Sequence, residues 1–167
     1  MAGLLVPRAL LRLVRPWPPE PLCDADQVFE LLLPVLGART RIRRVDYEHR
    51  PGGGAVAMRP GDLALAILNL VDNAIDASPE GGRVVTACDM GREAVTIRVE
   101  DVGPGVPEEL RGAPGASPRP PRPGRSGLGL AVTARLVRRA GGTLELTAGP
   151  DERGTAAIIT VPRPGSA

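Results

Sequence analysis

A chain of 167 residues is long enough to bury the core of one domain and too short for two typical ones, so one site is to be sought. Its 21 basic residues are all Arg and face 19 acids, for a net charge of +2, and the aromatics are Trp17, Phe29 and Tyr47 alone. So balanced a charge, without interleaved stacking rings, argues against nucleic acid as a partner. Cys23 and Cys88 lie far apart with no CxxC spacing, which suggests neither zinc nor a disulfide framework and reads as two reduced thiols in a cytoplasmic protein. No apolar run approaches the roughly 18 residues of a membrane span.

The chain opens with an apolar, Arg-bearing stretch that Pro7 interrupts, which disfavours a targeting segment and suggests the end of a helix entering the domain. "RALLRLVR" has helical spacing and stops at the stiff connector "PWPPEP", so a boundary is expected near residue 20. From cap-competent Asp24, Val28, Leu32 and Leu36 predict a helix bent or broken near Pro34 and stopping at Gly37. "TRIRRVDYE" then alternates as a strand, and "RPGGG" turns into a short strand at "AVAM". His49 falls between strand and turn and reads as a surface loop residue.

Pro60 opens a long helix through "PGDLALAILNLVDNAIDAS", which ends before Pro79 and the Gly81-Gly82 pair. "RVVTACDM" and "EAVTIRVED" predict a hairpin about Gly91. "GPGVPEEL" follows, then a Pro-, Gly- and Arg-rich stretch from Arg111 to Ser126 that reads as a loop or lid. "GLGLAVTARLVRRAGG" is a helix bounded by glycines, and "TLELTA" and "GTAAIITVP" are the final strands. This order fits an α+β two-layer sandwich, a mixed and mostly antiparallel sheet with helices packed on one face, better than a repeated βαβ unit.

Three constellations could carry chemistry. On a helical wheel, Leu63, Ile67, Leu70, Val71 and Ala74 form the face that packs on the sheet, while Asp62, Asn69, Asn73 and Asp76 share a polar stripe. Such a stripe is often only a solvated face. Two Asn one turn apart are harder to explain that way, because Asn is a mediocre helix former, whereas its amide oxygen can hold a hard cation without adding charge. Asp72 reads as solvated surface and Asp76 as a rim residue. In "EDVGPGVP", Asp101 ends a strand, and Gly103 and Gly105 permit a sharp turn and close backbone approach, although an ordinary turn would also explain the pattern. In "SGLGLA", Gly127 and Gly129 open a helix whose free N–H groups could receive an anion, a weak signal taken alone. All three in one chain, in this order, describe a pocket with a cation-binding helix, a polar contact of adenine size and a phosphate-binding helix start.

"NLVDNAIDA", "DVGPG" and "GLGLA" resemble the N, G1 and G2 boxes of the Bergerat-type ATP-binding domain of sensor histidine kinases, DNA gyrase, Hsp90 and MutL. The likeness is greatest to the nitrogen-regulatory and dicarboxylate-sensing kinases. It implies the end of a dimerisation helix or linker over residues 1–19, a catalytic domain over 20–163 with a lid at 106–126, and a tail at 164–167. It further implies that Asn73 coordinates Mg2+ between the phosphates and that Asn69 positions the metal-bound water or phosphate, a catalytic role. Asp101 would accept the adenine amino group, with Gly103 and Gly105 letting the backbone approach the base and Thr155 near the adenine water. Ser126, Gly127, Leu128, Gly129 and Leu130 would meet the phosphates.

Some residues depart from the family's pattern. Arg125 stands where the third box usually has its first glycine, the lid has no Phe, and Lys residues that often meet phosphates are absent, leaving Arg111, Arg119, Arg122 and Arg125 as substitutes or as solvated charge. His49, the one His, does not lie on a dimerisation helix. The first expectation is therefore an ATP- and Mg2+-binding kinase domain that donates a phosphoryl group to a His on a dimerisation helix outside this sequence, with a response regulator as a further partner. Alternatives are a degenerate nucleotide-binding or docking module without turnover, and a serine kinase of the anti-sigma type, against which the "RPWPPEP" joint speaks.

Overall fold

A computed structural model of the chain describes residues 22–108, 111–112 and 128–165. The short strand β1 (Cys23–Asp24) pairs antiparallel with β3 (Ala55–Val56), apart from the main sheet. Asp24 caps the first helix, α1 (Ala25–Arg43), its Oδ1 accepting from the N–H groups of Asp26 at 3.0 Å and Gln27 at 3.2 Å.

Contrary to the sequence-based expectation, α1 neither breaks at Pro34 nor yields to a strand at Thr40. Pro34 sits on the exposed outer side, where the carbonyl it strips of a partner can turn to water, while Val28, Leu32, Leu36 and Thr40 bury the inner side at four-residue spacing. The helix stops at Arg44, in left-handed geometry (φ 52°), whose N–H returns to the carbonyls of Arg41 and Thr40. The predicted strand is thereby shortened to β2 (Asp46–Arg50).

Then come α2 (Pro60–Ala77), β4 (Arg83–Met90), β5 (Ala94–Asp101), α3 (Gly129–Arg139), β6 (Thr143–Ala148) and β7 (Thr155–Pro162). The five-stranded sheet has the order β2-β4-β5-β7-β6, with β2 parallel to β4 and the other neighbours antiparallel. Helix α2 lies between α1 and α3 and packs on β4 and β5, while α3 packs on β6 and β7. Val84, Val95, Ile97, Val99, Leu144, Leu146, Ile159 and Val161 meet Phe29, Leu32, Leu63, Ile67, Leu70 and Val71 in one core. Truncating the fully buried Phe29 to Ala would cost roughly 3–5 kcal/mol, because the aliphatic neighbours could not fill the space.

His49 overturns its reading as a surface loop residue. It lies in β2, its ring stacked on Phe29 at 4.2 Å between centroids, with Nδ1 2.9 Å from the Thr86 hydroxyl. The parallel pairing of β2 with β4 puts Tyr47 and His49 on the helix-covered side, and Tyr47 reaches the same Thr86 oxygen at 2.9 Å. Nε2 is buried without a partner among the described residues, and burial lowers the pKa below its ordinary 6.5 against an opposing pull from Asp26.

Candidate nucleotide-binding site

The site grows from one stripe of α2. Asn69, Asn73 and Ala77 follow at four-residue spacing, so they lie above one another over about 12 Å of helix. At the Asn69 level the neighbour is the start of α3: Nδ2 of Asn69 donates to the Gly129 carbonyl at 3.3 Å and to the Thr133 hydroxyl at 3.4 Å. At the Ala77 level the neighbour is the loop after β5. A Cβ on Gly103 would stand 2.6 Å from the Ala77 carbonyl oxygen, so that loop can pack on the end of α2 only with glycine there. Asn73 lies between, half-buried.

Asp101, the last residue of β5, is the buried acid of the site, with 6% of its surface exposed. Its Oδ1 accepts from the N–H groups of Gly103 at 2.8 Å and Thr155 at 3.2 Å. The sheet register explains the second bond, since pairing Glu100 with Ala156 brings Thr155 opposite Asp101. Desolvation raises the carboxyl above its ordinary 3.8, opposed by the hydrogen bonds from the Gly103 and Thr155 backbone and the Thr155 side chain. A carboxylate tied by one oxygen is a fixed acceptor for an amino group.

At the other end, α3 begins without an acid in its first turn and without a side-chain cap. Its cap is Leu128, more than half exposed, followed by half-buried Gly129 and Leu130. The positive end of the helix dipole, with no acid in that first turn, suits a polyanion.

Not every predicted neighbour joins this stripe. Asp62, at the opposite end of α2, lines a shallow hollow with Arg59, Leu136 and Arg139. Asp72 is not solvated surface: it pairs with Arg39 of α1 and keeps only 21% of its side chain exposed. Asp76 faces Arg43 of α1 at 3.9 Å. Both carboxylates are drawn to α1 because that helix presents Arg39 and Arg43 one turn apart. Arg111 donates from Nε to the Val106 carbonyl at 3.3 Å. Ser126, Gly127, Arg119, Arg122 and Arg125 lie outside the described residues, as do residues 1–19 and most of the lid stretch.

Two contacts escaped the sequence reading. Thr133 is fully buried and holds Asn69, and its polarity on the inner side of an amphipathic helix was the available signal. Gly154, in the turn before β7, touches the Asp101 backbone, and nothing in "GPDERG" pointed fifty residues back.

Residues 58–165, more than half of the chain, match the family described as Histidine kinase-, DNA gyrase B-, and HSP90-like ATPase. The chain belongs to this family. Among relatives, it is 38% identical over 125 residues to the sensor histidine kinase DpiB of Escherichia coli (strain K12), covering 68% of this chain and 22% of that protein. It is 33% identical over 137 residues to the sensory histidine kinase/phosphatase NtrB of Escherichia coli O157:H7, covering 75% of this chain and 38% of that protein. The solved mycobacterial sensor histidine kinase MprB superposes with a TM-score of 0.69 at 29% identity, over 86% of this chain and 99% of that one. The catalytic domain of the histidine kinase ThkA shares the fold, with a TM-score of 0.73 at 21% identity over 85% and 97%.

The chain thus carries the ATP-binding catalytic domain of the sensor histidine kinase type, and it spans about a fifth to two fifths of these two relatives. Family membership accounts for the α+β sandwich, among the described residues a five-stranded mixed sheet under three helices. Among the described residues no helix is long and apolar enough to cross a membrane, and no three His, Cys, Asp or Glu gather as a metal site.

Proposed function

We propose that this domain binds ATP with Mg2+ along the Asn69–Asn73–Ala77 stripe and donates the γ-phosphoryl group to a His on a dimerisation helix. The observation that carries the reading is the pair of neighbours at the two ends of that stripe. A buried carboxylate braced by two N–H groups stands at one end, and a helix start with no acid in its first turn, bonded to Asn69, stands at the other. Asp101 would take the adenine amino group, with Gly103, Gly105 and Thr155 shaping the base pocket. Gly127, Leu128, Gly129 and Leu130 would turn N–H groups to the phosphates, with the Ser126 hydroxyl beside them.

The amides fit a hard cation already neutralised in part by phosphate. Nδ2 of Asn69 is committed to α3, so Oδ1 is its acceptor for the cation or its water, and Asn73 adds a second neutral oxygen. Mg2+ would supply charge neutralisation between the phosphates. The protein's own residues orient the triphosphate: Asn69 holds α3 against α2, and the α3 start offers N–H groups where negative charge accumulates. In the transfer, an imidazole nitrogen forms a bond to the γ-phosphorus, the bond to the bridging oxygen breaks, and ADP leaves. Residues 1–19 would be the joint from the dimerisation helix, residues 20–163 the catalytic domain and 106–126 its lid. Use of ATP puts the domain on the cytoplasmic side, where a response regulator would receive the phosphoryl group.

Calorimetry of ATP and ADP, with and without Mg2+, tests the binding. Asp101→Asn is expected to weaken both nucleotides, and Asn73→Ala to remove mainly the Mg2+ dependence. ATP binding that neither substitution alters would sink the assignment. Incubation with a separate dimerisation hairpin and labelled ATP then tests transfer. Phe is absent from the lid stretch, which supports a second reading as a nucleotide-binding or docking module without turnover. Tight ATP binding with no label transferred would favour that reading.

A further inference from the structure

The turn between β6 and β7 runs from Gly149 to Gly154 around a 3-10 turn at Pro150–Glu152, and it ends against the adenine side of the site. Gly154 has a left-handed backbone (φ 68°), and the space its side chain would need is already taken. A Cβ there would overlap the Asp101 carbonyl oxygen outright and stand 2.6 Å from the carbonyl carbon and 3.0 Å from the Val102 Cα. These are backbone atoms, which cannot swing aside as a flexible side chain would. On its other side the Gly154 carbonyl accepts from the Gly149 N–H at 3.2 Å, which closes the turn. It also lies 3.2 Å from where a Cβ on Gly105 would be. One residue thus touches both ends of the loop that carries Asp101, Gly103 and Gly105.

The next residue completes the brace. The Thr155 N–H donates to Asp101 Oδ1, and the direction in which that N–H points depends on the Gly154 backbone that precedes it. If Gly154 is pushed away from Asp101, the Thr155 bond is stretched and the carboxylate loses one of the two N–H groups that aim it. The Gly103 N–H and the Thr155 side chain, which moves with Gly154, would then hold the carboxylate at a different angle. A rotated acceptor still carries charge, but it no longer meets an amino group at one fixed place.

We propose that Gly154 is a positioning residue for base selectivity: its close approach to Asp101 sets the carboxylate at the angle that distinguishes a purine bearing an exocyclic amino group from one bearing a carbonyl. The inference rests on the reading of Asp101 as the base-contacting residue. The β6–β7 turn is therefore part of the base pocket, although it belongs to none of the three motifs.

The test compares ATP with inosine triphosphate, which carries a carbonyl in place of the amino group, and with inorganic tripolyphosphate, which has no base. Gly154→Ala is expected to weaken ATP at least about tenfold, the scale of a lost hydrogen bond to a charged group, and to bring the ATP-to-inosine-triphosphate ratio toward unity. Tripolyphosphate affinity should stay within about twofold, because the α3 end is untouched. Gly81→Ala serves as the control, since Gly81 has a similar left-handed backbone (φ 76°) with open space around it. It should lower thermal stability through backbone strain and leave the ratio alone.

Should Gly154→Ala fail to fold, Gly105→Ala presses on the same junction more gently and is expected to lower the ratio in part. Gly154→Ala, or Gly105→Ala in its place, with the wild-type ratio overturns the proposal, and so does a Gly81→Ala variant that loses the ratio equally. If Asp101→Asn abolishes selectivity while Gly154→Ala keeps it, the positioning role falls and the base contact stands. If the wild type does not discriminate and Asp101→Asn changes nothing, both fall.

Discussion

The two ends of the α2 stripe solve opposite problems. Toward Ala77 the site is built from backbone and one buried acid: Asp101 is desolvated, held by two N–H groups and walled by glycines that leave no room for adjustment. Toward Asn69 it is built from neutral amides and a helix start without acids. A single fixed negative charge suits an amino group on a base. A helix start with no acid in its first turn suits phosphates. Shape and fixed direction decide the first end, and the sign of the field decides the second.

Exchanging the charge at the rigid end should have the largest effect. Asp101→Asn keeps an oxygen for the Gly103 and Thr155 N–H groups but loses the charge, so nucleotide affinity should fall by about 1.5–3 kcal/mol, roughly ten- to a hundredfold, measured by calorimetry. The same substitution should leave the nucleotide-free fold as stable or more stable near neutral pH. Burial raises the folded pKa of Asp101, so the stability it contributes is present below its unfolded value and is lost as pH rises through the folded one. A melting temperature that drops sharply in Asp101→Asn would show the carboxylate to be a structural group instead.

Acid should reach the base end first. As pH falls through the raised Asp101 pKa, the protonated carboxyl ceases to be a pure acceptor, so ATP affinity should decline while tripolyphosphate, titrated in parallel, follows only its own protonation. Equal declines for both ligands would remove the contrast between the ends. At the phosphate end, Asn73→Ala should lower Mg-ATP affinity by about tenfold, an oxygen lost from a hard-cation site, with little change in Mg2+-free binding.

Smaller effects lie outside the site. Burial lowers the folded pKa of His49, so the stability it contributes is present above its ordinary 6.5 and is lost as pH falls through the folded value. Chemical denaturation between about pH 7 and pH 5 should show this slope, and His49→Gln should flatten it. The smallest effect is expected at the Arg39–Asp72 pair, half exposed on the Arg side. A double-mutant cycle should give about 0.5–1 kcal/mol, reduced by salt.

Much of this was legible along the chain because it depends on local chemistry. Asp24 announces a cap, Pro60 a helix start, and the alternation in residues 83–101 a hairpin, each through interactions within a few residues. The stripe bearing Asn69 and Asn73 was legible for the same reason, since 3.6 residues per turn fixes which side chains align. Helix α1 was misread at Pro34 because a proline's cost depends on whether its turn faces solvent or core, which the chain alone does not say. His49 was misplaced because its neighbours, Phe29 and Thr86, come from a helix and a strand far away in sequence.

The sequence by itself determined most of the elements, their order and the core-facing side of α2, because short-range sterics and periodicity act within a few residues. Tertiary structure alone decided that Asp72 and Asp76 turn to α1 while Asn69 turns to α3. It also decided that Gly154 meets Asp101, since that contact follows from the register of β5 on β7. A register is the joint outcome of two strands more than fifty residues apart, so no single stretch of the chain can express it.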